Sequence, residues 1–259
     1  MKIFISVKSI CLSLVVVLLF VQFNASAQIT SYQYRHVAND KIDEFIKRET
    51  TYWSKVAENA AKNKTMTFWA LLEKVDGYDM PNSSNFLFIN TFPDIDKAGD
   101  AFKDAEKIAG VKMAQMETNS ISTTTSKFFL HDEGWAQAAK ADPTKDFNYV
   151  VMVYHNTDYP DSLVNMEKEY WSPFIKKAMD NGQTSMKGWG DAIVLSPKGD
   201  NIKFTTVSYD LYKTLQDALM PKWDPKTEFP SGLDMIGKIE LNRRGTVVYR
   251  VVKVVSSSN

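Results

Sequence analysis

A long internal duplication constrains this chain more than any other feature. Glu49-x-x-Tyr52-Trp53-Ser54 returns as Glu167-x-x-Tyr170-Trp171-Ser172, 118 residues later. The same offset pairs Asp40 with Asp158, Ala60 with Ala178 and Asn63 with Asn181. Met66-x-x-Trp69 then matches Met186-x-x-Trp189 at offset 120. Asn85, ahead of Phe86-Leu87-Phe88-Ile89, matches Asn201, ahead of Ile202-Lys203-Phe204-Thr205, at offset 116, as Asp94 matches Asp210. Ordered matches that include two Trp pairs mark a duplicated unit, and the period is far longer than that of a solenoid. The chain reads as two small, similar halves.

Each half carries the same succession of patterns. In the first, residues 31–38 alternate as a strand, and Asp40 opens a helix whose apolar face runs through Phe45, Trp53, Val56 and Ala60. Residues 65–75 and 85–92 are strand-like runs, 94–109 a second helix opened by Asp94, and 122–131 a fourth strand. The second half repeats β-α-β-β-α-β with strands at 147–155, 184–195, 201–209 and 245–255 and helices at 161–181 and 211–220. Asn181-Gly182 ends the long helix. Pro173 is expected to kink it. Residues 221–237, with Pro221, Pro225, Pro230 and two glycines, form a long connection that reads as a lid or packing flap.

The N-terminus reads as a targeting segment. Lys2 and Lys8 precede an apolar run over residues 10–23, and Asn24-Ala25-Ser26-Ala27 supplies small residues for cleavage after Ala27. The run is too short to span a bilayer. The expected organisation is a signal peptide over 1–27, a ferredoxin-like repeat over 28–135, a linker over 136–146 and a second repeat over 147–259. The expected location is the periplasm or the exterior. Removing 1–27 also removes Cys11, the only cysteine, and leaves a net charge of −2. Disulfides, thiolate nucleophiles and cysteine-ligated metals are thereby excluded from the processed chain. The near-neutral charge argues against a nucleic-acid partner. Twelve per cent aromatic residues argue for a packed core rather than a disordered chain.

A β-α-β-β-α-β unit leaves one sheet face uncovered, and two units can bury those faces together. The expected fold is α+β, with two tandem ferredoxin-like repeats packed sheet to sheet as an intrachain α+β barrel. This pattern resembles the dimeric α+β barrel superfamily, which includes antibiotic-monooxygenase-like, NIPSNAP-like and chlorite-dismutase-like proteins. The resemblance covers residues 30–255 and rests on element order and repeat. It implies a ligand pocket between sheet and helices of one half. The Asn, Trp and His set of the haem-degrading members has no counterpart here, so no cofactor is expected.

Candidate site residues follow from the repeat and from residue chemistry. Glu167, Tyr170 and Trp171, like Glu49, Tyr52 and Trp53, place a carboxylate beside two aromatics, where desolvation can raise its pKa. The structural alternative is an aromatic core with the glutamate ion-paired at its rim. Trp69 and Trp189 occupy equivalent strands. Only Trp189 is flanked by glycines, Gly188 and Gly190, which mark a bulge or the close approach of another group. The second half is therefore the expected pocket, with Trp189 as a wall and Asp191 as its polar group. His36, His131 and His155 lie at strand ends without metal-ligand spacing, so no metal is expected. His155, Glu167, Tyr170 and Asp191 are the candidate catalytic residues, and Tyr154, Trp171, Trp189 and Trp69 the candidate ligand-binding residues.

Three functions fit these observations. The first is an exported barrel that binds a small apolar or aromatic ligand, in the manner of a cofactor-independent monooxygenase. The second is a lyase or dehydratase for acidic oligosaccharides, in which Tyr34-Arg35-His36, Tyr154-His155 and Tyr249-Arg250 supply base and cation. The third is a non-catalytic interaction protein.

Overall fold

The structure, a computed structural model, describes residues 28–77, 83–199, 202–239 and 244–257. The targeting segment, the turn after Gly77 and the Asn201 match lie outside the described residues. Eight antiparallel strands, β1 (Ile29–Val37), β2 (Phe68–Gly77), β3 (Phe86–Phe92), β4 (Ser122–Gln137), β5 (Tyr149–His155), β6 (Gly188–Ser196), β7 (Thr206–Tyr212) and β8 (Arg244–Ser256), close into a barrel ordered β1-β3-β2-β8-β5-β7-β6-β4. Each half thus contributes a ferredoxin-like sheet, β4-β1-β3-β2 and β8-β5-β7-β6. The halves join edge to edge through β2–β8 and β4–β6, so the expected tandem α+β barrel is the fold. No helix among the described residues is long and apolar enough to cross a membrane.

Strand alternation sends side chains to two separate cores. Tyr32, Tyr34, Leu72, Met152, Val207 and Tyr249 fill the barrel interior. The opposite faces take the helices. Val37, Phe45, Trp69, Leu71, Phe86 and Phe88 pack the first half, and Ile175, Met179, Trp189 and Tyr212 the second.

The strands set the register between the halves. Arg35 faces Phe86 as His155 faces Thr206, and Leu71 faces Phe88 as Asp191 faces Ser208. Equivalent positions of the first three strands of each half are 120 apart, which corrects the offset of 116 for the third strands. Phe86 corresponds to Thr206, and the cap residue Asp94 to Thr214. Both caps accept from a backbone N–H in the first turn of the element they open. The offset of 118 holds only within the long helices.

Several boundaries shift from the expected ones. The second helix of the first half is a 3₁₀ segment, Ile95–Phe102, followed by Ala105–Ala109, with Asp104 left-handed between them at φ 57°. Strand β4 continues six residues beyond 131, to Gln137, because β6 pairs with it along that stretch. The long helix of each half is interrupted by a π turn, Glu49–Trp53 and Glu167–Trp171. The turn occurs in both halves, but only the second has a proline nearby, so Pro173 is not its cause. Pro173 follows that turn directly, in a helix that continues from Glu167 to Asp180.

Gly188 and Gly190 have a different role from the one expected. A Cβ on Gly190 would lie 2.4 Å from the Tyr209 ring, and one on Gly188 2.8 Å from Leu211. Both positions alternate with Trp189 and Asp191, so they face away from the helices. They make room for the protein's own side chains across the ladder, not for a ligand. Gly190→Ala is expected to destabilise the fold by about 1–3 kcal/mol through overpacking, read as a lower urea midpoint at unchanged slope; an unshifted midpoint would show that Tyr209 yields freely.

Candidate functional site

Four elements of the second half meet around a cavity of about 260 Å³. The end of β5 contributes Val153 and His155, β7 contributes Ser208 and Asp210, β6 contributes Trp189, and the π turn contributes Glu167 and Trp171. A short helix, Leu233–Ile239, covers it with Leu233, Ile236 and Gly237. This helix ends the proline-rich connection, so the expected lid or flap lies over the cavity. Thr157 ties its end down by donating to the carbonyl of Ile239 at 2.9 Å.

The π turn explains the buried acid. One extra residue in the turn alters which side chains face the sheet. Glu167 is only 6% exposed, as is Glu49 at 4%, while Trp171 and Tyr170 are half-buried. The aromatic-core alternative is thereby reversed: the glutamates are inside and the aromatics nearer the rim. Ser208 Oγ donates to Glu167 Oε1 at 2.9 Å and Oε2 at 3.2 Å, and His155 Nε2 lies 3.0 Å from the same oxygen. Since the serine's one hydrogen goes to Glu167, the network assigns the hydrogen of this contact to Nε2. The acid contacts the serine rather than the far nitrogen of the imidazole, so the three groups form a hydrogen-bonded relay along which a proton can pass, not the arrangement of a serine nucleophile.

Asp191 lies beside this relay, fully buried, with no donor in ideal hydrogen-bonding geometry; the Gly134 backbone and Glu167 are its polar neighbours. Its contact with Glu167 becomes a hydrogen bond once either group holds a proton. Burial pushes Asp191 up to about 7, while Glu167, Lys168 and the Gly134 backbone oppose that rise. Gly134 on β4 is required here, since a Cβ would lie 2.6 Å from Asp191 Oδ1 and 3.0 Å from the Trp189 ring.

The first half has the same scaffold but no such relay. At the positions of Asp191, Ser208 and Thr206 it carries Leu71, Phe88 and Phe86, which pack with Phe45 and Trp69 into a core. Arg35 stands where the second half has His155. Its guanidinium donates to Asn119 at 3.0 Å and to Ser122 at 2.5 Å, and Thr118 donates to Glu49 at 2.7 Å. Burial pushes Glu49 up to about 7, opposed by Thr118 and Arg35.

Five of the predicted site residues therefore meet: His155, Glu167, Trp171 and Trp189 in the wall, with Asp191 behind it. Three do not. Trp69 is buried in the first-half core. Tyr154 alternates with His155 and turns into the barrel, its hydroxyl 3.1 Å from that of Tyr34. Tyr170 packs its ring against Gly232 of the lid connection and does not line the cavity. Ser208, Asp210 and the roof residues were not foreseen. The offset of 120 reveals Ser208 as a polar residue in place of Phe88; the offset of 116 hides it.

His36 and His131 lie apart from the cavity, on Ser83 O and Glu133. No cluster among the described residues could hold a metal ion. The cavity does not suit haem either. Its one histidine is engaged through Nε2, and its described wall offers Glu167 and Asp210 rather than cations for propionates.

No protein-family model matches the sequence, and no curated protein does. Solved structures do match. An anthrone oxidase-like protein aligns with TM-score 0.56 at 13% identity over 91% of this chain and 95% of its own. Candidate monooxygenases from Lactobacillus acidophilus (0.56, 11%, 90% and 97%) and Fusobacterium nucleatum (0.55, 10%, 90% and 95%) align similarly. At these identities the likeness shows a shared α+β barrel fold.

The raised Asp191 has a signed consequence. An acid with a higher pKa folded than unfolded stabilises the fold at low pH, and that contribution is lost as pH rises from about 4 through about 7. Asp191→Asn is expected to gain stability over the parent, on the order of 2 kcal/mol, between pH 5 and pH 8. Urea titrations at both values check this, and a difference that does not change with pH would show Asp191 ionised throughout.

Proposed function

We propose that the second half binds one small ligand with an apolar or aromatic body, and that the relay of His155, Ser208 and Glu167, backed by Asp191, moves a proton at it. The observation that carries this reading is the contrast between the halves. One scaffold position is filled with Leu71, Phe86 and Phe88 on one side and holds Asp191, Thr206 and Ser208 around a cavity on the other. Buried polar groups are costly unless they are hydrogen-bonded or paired, and here they are gathered beside open space.

The chemistry that suits this site is monooxygenase-like and cofactor-independent. Glu167 would accept a proton from an acidic C–H of a bound aromatic, and the resulting carbanion would react with dioxygen. For a ring CH₂ the balance is CH₂ + O₂ → C=O + H₂O, with all electrons supplied by the substrate. The anthrone oxidase-like and monooxygenase folds support this class by analogy alone. Elimination on acidic oligosaccharides is less well supported. Tyr34, Tyr154 and Tyr249 turn into the barrel, away from Arg35, so a tyrosine base and that cation lie on opposite faces of the sheet. Export remains part of the proposal and rests on residues 1–27; a secreted or periplasmic form beginning at Gln28, by mass spectrometry, is the expected result.

Ser208→Phe, which restores the first-half residue, should fill the cavity while keeping the fold. A panel of neutral aromatics followed by Trp fluorescence should bind the parent with one site per chain and the variant at least tenfold more weakly. Oxygen uptake with a bound ring-CH₂ compound, lost in Glu167→Gln, would establish catalysis. Binding without uptake across the panel would leave a carrier rather than an enzyme.

A further inference from the structure

The connection that covers the cavity is attached unevenly along its length. Its first part is fixed. Trp223 pairs with Thr184 as an isolated β-bridge. Ser185 donates its backbone N–H to the carbonyl of Lys222 at 3.1 Å, and Asp224 donates to that of Gln183 at 2.8 Å. The Trp223 ring stacks on Phe174 at 6.0 Å, and Phe229 closes the cluster, 5.0 Å from Trp223 and 5.2 Å from Phe174. The second part, Leu233–Ile239, is held more lightly. None of its residues is fully buried, and the backbone bonds of its first turn are local, to Pro230, Ser231 and Gly232. Among the described residues, one hydrogen bond ties it to the rest of the protein, from Thr157 to the carbonyl of Ile239. A segment with few buried contacts and few bonds to its surroundings opens at low cost.

The wall beneath is closed by contrast. Val153, His155, Glu167, Trp189 and Ser208 are each at most 6% exposed, so a ligand reaches them only when a covering element moves. The strands are locked into the barrel ladder, which leaves the roof. At its start Gly232 rests on Tyr170 of the π turn so closely that a Cβ would lie 2.5 Å from the ring. From these contacts we infer that Leu233–Ile239 is a gate: it lifts from the cavity about Pro230–Gly232 while Trp223 stays docked, with Thr157 as its latch and the Tyr170 ring as the surface on which it reseats. Lids of this kind turn on a few residues at the ends of an element and govern entry and release. The inference rests on the reading of this cavity as a small-ligand site and adds how the ligand enters. It gives Tyr170 a gating role instead of a catalytic one.

Thiol accessibility tests it, with methyl methanethiolsulfonate as a small neutral probe and labelling of the full chain read position by position by peptide mass spectrometry. Val153→Cys puts the thiol in the cavity wall, Met220→Cys on the open surface, and Val56→Cys in the first-half core, where it reports global unfolding. Position 153 is expected to label at least tenfold more slowly than 220 and clearly faster than 56. Thr157→Val removes the latch, and Gly232→Ala presses a Cβ against the Tyr170 ring. Each should speed labelling at 153 at least fivefold and leave 56 unchanged. Adding Tyr170→Ala to Gly232→Ala should return the rate at 153 to that of the parent. Labelling at 153 as fast as at 220 would show a cavity open without any gate and overturn the inference. Rates at 153 that match those at 56, or that ignore both substitutions in folded chains, would overturn it as well. None of these outcomes touches the small-ligand reading, which fails separately if the aromatic panel does not bind.

Discussion

Closure of the sheet dictates where this protein can bind anything. Each half alone would leave one face of a four-stranded sheet uncovered, and pairing β2 with β8 and β4 with β6 hides both faces in a shared interior. The interior is filled by side chains, among them Tyr32, Tyr34 and Tyr249, whose hydroxyls are held neutral by burial. An eight-stranded barrel is wide enough either to be filled by side chains or to hold one small ligand, and here side chains fill it. Among the described residues the cavity lies on the outer side, between a sheet and its helices.

Duplication offers that outer site twice, and the two copies diverge at a few positions. The buried glutamate of the π turn is common to both. In the first half it faces Arg35 and Thr118, and the neighbouring strand positions are aromatic or aliphatic, so the polar groups knit the segment around Thr118–Ser122 to β1. In the second half the same glutamate faces a histidine, a serine and another acid. Replacing Leu71 and Phe88 by Asp191 and Ser208 removes apolar contacts worth a few kcal/mol. That loss falls on one half only, while the better-packed half sustains the fold.

Much of this was legible in the sequence, and the remainder was hidden for identifiable reasons. Element order and the two-half architecture follow from the repeat around Tyr52-Trp53-Ser54 and Tyr170-Trp171-Ser172. A cavity does lie in the second half, but the glycines read as its sign have another role: Gly188 and Gly190 serve Leu211 and Tyr209 across the barrel. Strand parity alone would have separated Tyr154 from His155, since adjacent strand residues face opposite ways. Ser208 required the correct register of β7, and the Asn85–Asn201 match, a coincidence of sequence, displaced it by four residues. The connection was legible as a lid or flap, but its helix was not, because Leu233–Ile239 is a single short amphipathic stretch in a connection otherwise dominated by proline.

The π turn was also beyond sequence reasoning, and it resolves an apparent conflict. Helical spacing puts Glu49 and Trp53, or Glu167 and Trp171, on one face four residues apart. An aromatic core would then draw the tryptophan inward and leave the acid at the rim. Widening one turn breaks that coupling: it lets the acid point to the sheet while the indole stays at the edge. The first half uses this freedom for structure, with Trp53 donating to the carbonyl of Met116 at 2.8 Å. The second half uses it to set Trp171 at the cavity wall, where its ring lies 5.5 Å from Phe174 and 6.3 Å from Trp223 of the lid connection. The same widened turn thus places both the buried acid and the aromatic contact that holds the lid, so the relay and its cover depend on one local departure from regular helix.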